Sequence, residues 1–224
     1  MKKIIYPIIV LFSFIINAQK LPKNFVYLKD IAPSIRIELR YFSNNNFIGK
    51  PIDGYNSNSL VITERTAKSL KKIQQELLKK ELSLKIFDGY RPQQAVDHFV
   101  RWAKVLNDTI MKAQYYPKVK KKNLFKNAYI AEKSGHSRGS TIDLTIINIK
   151  ADEALDMGSE YDFFGIQSHP SYKNISKKQK KNRMLLRKIM LDNGFKPYEN
   201  EWWHFTLKKE PFPNTYFKFL ISEN

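Results

Sequence analysis

The chain has 224 residues, a hydrophobic fraction of 42%, no cysteine and a formal net charge of +18. That length and apolar content suit one ordinary domain with a sizeable core, and the lack of cysteine excludes both a disulfide framework and a lipid-modified cysteine. The lysines lie in separate runs (Lys79–Lys80, Lys120–Lys122, Lys177–Lys181) with no Arg-rich reading helix, zinc-finger spacing or aromatic RNA-binding motif. The charge therefore reads as a solvated surface with some attraction to an anionic envelope, and nucleic acid is not an expected partner.

Residues 1–18 read as a secretory signal. Lys2 and Lys3 precede an apolar run from Ile4 to Ile16, and Ala18 is a small residue suited to cleavage. The expectation is an exported chain whose mature part, residues 19–224, is one domain. An uncleaved membrane anchor is the other reading, and Pro7 and the shortness of the run count against it. Loss of Lys2 and Lys3 lowers the net charge from +18 to +16.

Pro33–Tyr41 alternates Ile35, Ile37 and Leu39 with Arg36, Glu38 and Arg40, which predicts a half-buried strand. A polar, turn-rich loop follows. Thr63 is a suitable N-cap for a helix over 64–80, with Ala67, Leu70, Ile73, Leu77 and Leu78 at helical spacing. Leu84–Phe87 predicts a short strand ending at the turn signal Asp88-Gly89. Pro92 suits the first turn of a helix over 92–106, so Arg91 stands at a strand-to-helix junction. Residues 113–126 read as a loop.

Ser134-Gly135-His136-Ser137-Arg138-Gly139-Ser140-Thr141-Ile142-Asp143 is the stretch around which the chain is organised. His136 falls in a glycine-flanked turn. Asp143 falls in the β-branched run Thr141–Ile149, which predicts a strand. A carboxylate buried in such a run must be paired or bind a metal. Alone, the stretch serves equally as two metal ligands or as a capping Asp beside a surface His. After a long acidic loop, Lys178–Asn193 predicts a basic amphipathic helix closed by Gly194. Trp202–Leu207 predicts the last strand, and Trp203 reads as core.

Glu201-Trp202-Trp203-His204 changes the balance at the metal. His136, Asp143 and His204 would make three N/O ligands, the usual protein complement of a catalytic zinc, and Glu201 remains as a free carboxylate nearby. Of the other histidines, His98 reads as a partly buried helix residue and His169 as an exposed loop residue. The element order suggests an α+β fold with a largely antiparallel central sheet flanked by helices.

The two stretches fit the pattern S-x-H-x-x-G-x-x-x-D … E-x-W-H and resemble the zinc D-alanyl-D-alanine dipeptidases, most of all those of vancomycin-resistance clusters. Leu39-Arg40-Tyr41, Asp53-Gly54-Tyr55, Phe87–Pro92, Met157-Gly158-Ser159 and Glu210–Asn214 extend the resemblance over roughly Tyr27 to Phe217. It implies the fold shared by zinc DD-peptidases and Hedgehog signalling domains. It implies one Zn2+ per chain on His136, Asp143 and His204, with Glu201 as the proton-transfer group and Arg91 stabilising the scissile carbonyl oxygen. Asp162 then binds the amino terminus of D-alanyl-D-alanine, helped by Ser134 and Tyr41.

Two departures stand out. Thr141 replaces the Ala usual in close relatives, and a signal-like start contrasts with relatives that act in the cytoplasm. The alternative within the fold is an exported DD-carboxypeptidase or endopeptidase acting on peptidoglycan stems. A zinc-retaining binding module is another class, and Glu201 and Arg91 argue against it.

Overall fold

The structure, a computed structural model, describes residues 21–222. The secretory signal expected at residues 1–18 lies outside the described residues. Phe25–Tyr27 (β1) leads into a single turn, Leu28–Ile31 (α1), and then a two-residue strand, Arg36–Ile37 (β2). Val61–Thr63 (β3) pairs antiparallel with β1 as a small separate sheet.

The long helix Glu64–Leu78 (α2) follows. Ala67, Leu70, Ile73 and Leu77 are completely buried. An isolated helix of this length is marginal in water, so burial of that face decides its formation. Thr63 occupies the N-cap position, yet its side chain caps no backbone amide. Its hydroxyl instead lies 2.8 Å from Thr66 Oγ1 and 2.7 Å from Ser140 Oγ, joining β3 to the stretch after His136.

Leu82–Asp88 (β4) is longer than expected, and Gln93–Lys104 (α3) starts one residue after Pro92. The segment read as a loop contains Lys112–Tyr115 (α4) and a 3-10 turn at Lys121–Asn123. Lys121 is not a solvated charge. It is buried, donates to the Val105 carbonyl at 2.8 Å, and stands 3.9 Å from the centre of the Trp102 ring. Thr141–Asn148 (β5) is buried along seven of its eight residues. Glu153–Ala154 (β6) is a short exposed strand.

Lys177–Asp192 (α5) opens on a capping box between Ser176 and Gln179 and stops at Gly194, whose φ of +86° favours glycine. Phe195–Tyr198 (β7) and Glu201–Leu207 (β8) form the final hairpin.

The main sheet has the order β2-β4-β5-β8-β7, with β6 paired to β5. All its pairings are antiparallel except β2 with β4. This is the expected α+β architecture with a mainly antiparallel sheet. The strand expected over Pro33–Tyr41 is corrected: only two residues pair as β2, and Arg40–Phe42 turns as a 3-10 helix. The alternation still sets burial, because Ile35, Leu39 and Tyr41 are all in the core. The turn carries Tyr41 off the sheet edge and toward the site. Among the described residues, no helix is long and apolar enough to cross a membrane.

Candidate metal centre and active site

Three neighbouring strands build one row of polar side chains. Asp88 of β4 pairs in register with Asp143 of β5, and Asp143 pairs with His204 of β8. Directly paired residues present their side chains on the same face of a sheet. The row therefore sets two carboxylates and an imidazole side by side in a buried position.

His136 reaches this row from the 3-10 turn Gly135–Arg138. Ser134 Oγ accepts from the His136 amide at 3.2 Å. Gly139 closes the turn at φ +77°, and a Cβ there would lie 2.3 Å from Phe25 Cε1. Only glycine meets both demands. Arg138 holds the C-terminal segment against the turn through a two-pronged bond to Glu210, at 2.9 and 3.0 Å. This gives Glu210 of the Glu210–Asn214 stretch a structural role.

His136 Nδ1 lies 2.7 Å from the Gly89 carbonyl. A carbonyl only accepts, so Nδ1 carries the proton and Nε2 presents a lone pair. Nε2 is 3.2 Å from Asp143 Oδ2 and 3.3 Å from His204 Nδ1, while His204 Nδ1 is 3.0 Å from Asp143 Oδ1. Asp143 Oδ1 is buried, with His204 Nδ1 as its close polar neighbour. A tetrahedral zinc about 2.0–2.1 Å from each donor sets its donors about 3.3–3.4 Å apart. The three contacts use both Asp143 oxygens; with one donor atom from each residue the donors lie within 4.8 Å of one another, close enough for a cation to be reached by small side-chain adjustments. The donor set fits zinc, and these three residues form a possible metal site.

Charge follows the same pattern. Burial opposes ionisation of Asp143, but the positive charge that His136 and His204 carry when protonated outweighs it and holds its carboxyl below the usual range; a cation between neutral imidazoles would act in the same sense. Burial pushes the Glu201 carboxyl up to about 7, against the pull of His204. Glu201 Oε2 lies 3.4 Å from His204 Nδ1. In a straight strand residues 201 and 204 would face opposite ways. The β7–β8 ladder shifts register between Pro197 and Tyr198, opposite the start of β8, and Glu201 and His204 line one cavity.

Arg91 stands between β4 and α3, with its guanidinium 5.0 Å from the centre of the Tyr41 ring and 5.3 Å from that of Phe99. Its Nε donates to Asp88 Oδ2 at 2.9 Å, and Nη2 lies 2.8 Å from the same oxygen. Asp88 also accepts from the Tyr55 hydroxyl at 2.7 Å. Asp88 is fully buried and was not anticipated as a site residue. Its signal was the Asp-Gly turn, which reads as a strand end and says nothing of an ionic partner.

Asp162 is buried in a left-handed conformation, φ +60°. It accepts from the Tyr41 hydroxyl at 2.8 Å. Burial, then the charge of Asp143, pushes its carboxyl well above the usual range. Tyr161, also not anticipated, places its hydroxyl 3.2 Å from both the Tyr41 hydroxyl and Asp143 Oδ2. It thereby links the metal row to the Asp162 corner.

Tyr41, Arg91, Ser134, His136, Asp162, Glu201 and His204 line a single cavity of about 270 Å³. Asp143 lies directly behind His136 and His204. Every site residue expected from the sequence is thus brought together. Lys133 also lines the cavity and was missed, standing as it does in a loop with no periodic pattern. His98 pairs with Asp53 at 3.2 Å, away from the cavity. His169 is half-buried, not exposed as expected, because its carbonyl accepts from Arg183 at 2.9 Å.

A family model described as D-ala-D-ala dipeptidase matches residues 22–222. The chain belongs to the D-Ala-D-Ala dipeptidase family. A D-alanyl-D-alanine dipeptidase of Enterococcus faecalis is 41% identical over 89% of this chain and 98% of its own length. One from Streptomyces coelicolor is 39% identical with the same coverage. One from Escherichia coli is 32% identical over 81% of this chain and 83% of its own length. Membership of this dipeptidase family makes the chain a peptidase, and the match covers nearly the full length of the Enterococcus and Streptomyces relatives.

Proposed function

We propose that the protein hydrolyses the free dipeptide D-alanyl-D-alanine to two D-alanines, with zinc held by His136, Asp143 and His204. The observation that carries this reading is the convergence of those three donors beside Glu201, Arg91 and Asp162 in one cavity of about 270 Å³. That volume lies just below the usual range for drug-sized ligands, about 300–1,000 Å³, and suits a dipeptide better than a long peptide stem.

A zinc ion at this position supplies a Lewis acid that polarises the scissile carbonyl and brings the pKa of a water toward 7. The chain's own groups do the rest. Glu201 accepts the proton of the attacking water as the carbon–oxygen bond forms, then delivers it to the departing amine as the carbon–nitrogen bond breaks. A carboxyl held near neutrality is suited to both transfers. Arg91 presents fixed positive charge to the carbonyl oxygen as it becomes an oxyanion, in a site where little water competes.

The substrate is a zwitterion, so each end needs a partner. Asp162 offers its buried carboxylate to the ammonium, and ion pairing offsets the cost of keeping that carboxylate charged. Tyr41 orients Asp162, and Ser134 supplies a further polar contact beside it. Lys133 is the cation available to the carboxylate end. A carboxypeptidase or endopeptidase would have to accommodate an acylated nitrogen where Asp162 stands, and this favours the dipeptidase.

Export by residues 1–18 is part of the same proposal, supported by Lys2, Lys3 and the apolar run to Ile16. The test is a paired assay. Purified mature protein should contain about one zinc per chain and cleave D-alanyl-D-alanine in preference to a stem pentapeptide. Preference for the pentapeptide would move the protein to the carboxypeptidases.

A further inference from the structure

A second cavity lies away from the catalytic one, between α5, the loop before it and the β7–β8 hairpin. It measures about 370 Å³. Lys180, Arg183, Met184 and Arg187 form one stripe of α5, spaced by three and four residues, and all four line it. Trp202 and Phe205 of β8 line it as well. Both aromatic side chains are buried, whereas Met184 is 60% exposed at the opening.

The electrostatics of this cavity are one-sided. Lys173 joins the three cations of α5, and no acidic residue lines the space. Arg183 is 6% exposed, and its donors go to backbone carbonyls of Met157, His169 and Gln167. Carbonyl dipoles satisfy its hydrogen bonds and leave its charge uncancelled. Burial accordingly pulls its pKa down to about 10, despite a nearby Asp156.

Arg187 is more telling. Its side chain is 41% exposed, and its Nη2 lies 3.8 Å from Glu199 Oε1, a loose and exposed ion pair that leaves the guanidinium available. It stands at the wall of a cavity lined by Trp202, Phe205 and Met184 and by three further cations, Lys173, Lys180 and Arg183. Aromatic walls beside four cations, with no acidic residue among the lining residues, match a molecule with an apolar body and a negative group.

We propose that this cavity is a binding site for a small amphipathic carboxylate, whose chain or ring packs on Trp202, Phe205 and Met184 and whose carboxylate accepts from Arg187. The volume is near the lower end for small-molecule sites, which favours a short soluble acid over a two-chain lipid. The site is independent of the zinc ligands and of the dipeptide cavity.

The experiment is calorimetric titration of zinc-loaded wild-type protein with octanoate, with octanol of equal length, and with vesicles of anionic two-chain phospholipid. The expected result is saturable one-to-one binding of octanoate, with octanol and vesicles much weaker. Arg187→Gln should weaken octanoate by about tenfold or more, the scale of a charge-assisted bond, while D-alanyl-D-alanine turnover is unchanged. Lys180→Gln, at the exposed rim, should weaken it less, and it provides a second reading should Arg187→Gln fold poorly. Absence of saturable octanoate binding would overturn the proposal. So would equal affinity for octanol, preference for vesicles, or full affinity in both variants.

Discussion

Asp88 grips Arg91 along one edge: a single carboxylate oxygen lies 2.9 Å from Nε and 2.8 Å from Nη2. The guanidinium is thereby fixed in direction, while Asp88 takes no place in the cavity lining. Removing an oxyanion donor typically costs about 10²- to 10³-fold in kcat, and loss of a supporting partner about 10- to 100-fold. Arg91→Ala should show the larger loss and Asp88→Asn the smaller, both with zinc retained. The double variant should be no worse than Arg91→Ala, because Asp88 acts through Arg91. Additive losses in kcat would show that Asp88 works on its own account.

Metal content tests the ligand set separately from activity. His204→Ala and His136→Ala should each lose most of their zinc by elemental analysis, and chelation should inactivate wild-type protein until zinc is returned. Full zinc occupancy in His204→Ala would exclude it as a ligand.

Glu201→Gln should keep the metal and lose about 100- to 10,000-fold in turnover, the scale of a positioned proton-transfer group. The substitution preserves shape and removes the basic carboxylate. Release of zinc by this variant would make Glu201 a ligand instead.

Asp162→Asn should keep zinc, raise KM and lower kcat/KM for D-alanyl-D-alanine, because the ammonium loses its counter-charge in a buried corner. Wild-type protein should reject the N-acetylated dipeptide, which has no positive charge and adds bulk against Asp162. Equal hydrolysis of free and acetylated substrates, followed by chromatography of the products, would rule out a closed amine site.

Expression of the full chain should yield an exported protein whose amino terminus, read by mass spectrometry, lies near Gln19. An intact Met1 in the cytosolic fraction would refute export.

The readable parts of the site were those where residue type and spacing restrict the chemistry. His136, Asp143 and His204 stand in short stretches that offer imidazole and carboxylate within turns and strands, and Arg91 follows a strand end. What stayed hidden depends on contacts between distant segments. Asp88 meets Tyr55, 33 positions away, only once the chain has folded, and Tyr161 finds Tyr41 across 120 positions. Alternation from Ile35 to Tyr41 reported which side chains go inward, but it could not tell a paired strand from an edge segment that turns away. Lys121 belongs to a run of three lysines, and nothing local separates the one that folds over Trp102 from its exposed neighbour Lys122.

The break in register beside Glu201 gives the active centre two halves with different tolerances. Asp143 and His204 are bolted into an uninterrupted ladder, where a slip of one residue would turn both away together. Glu201 lies outside the three pairs of that ladder; it pairs with Tyr198 across the β7–β8 hairpin, next to the two-residue turn Glu199-Asn200. A change of length in that turn can move the proton shuttle relative to the metal without touching the metal's own coordination. A variant with one residue added to that turn would therefore test the proposed proton-transfer role of Glu201 apart from the proposed metal ligands.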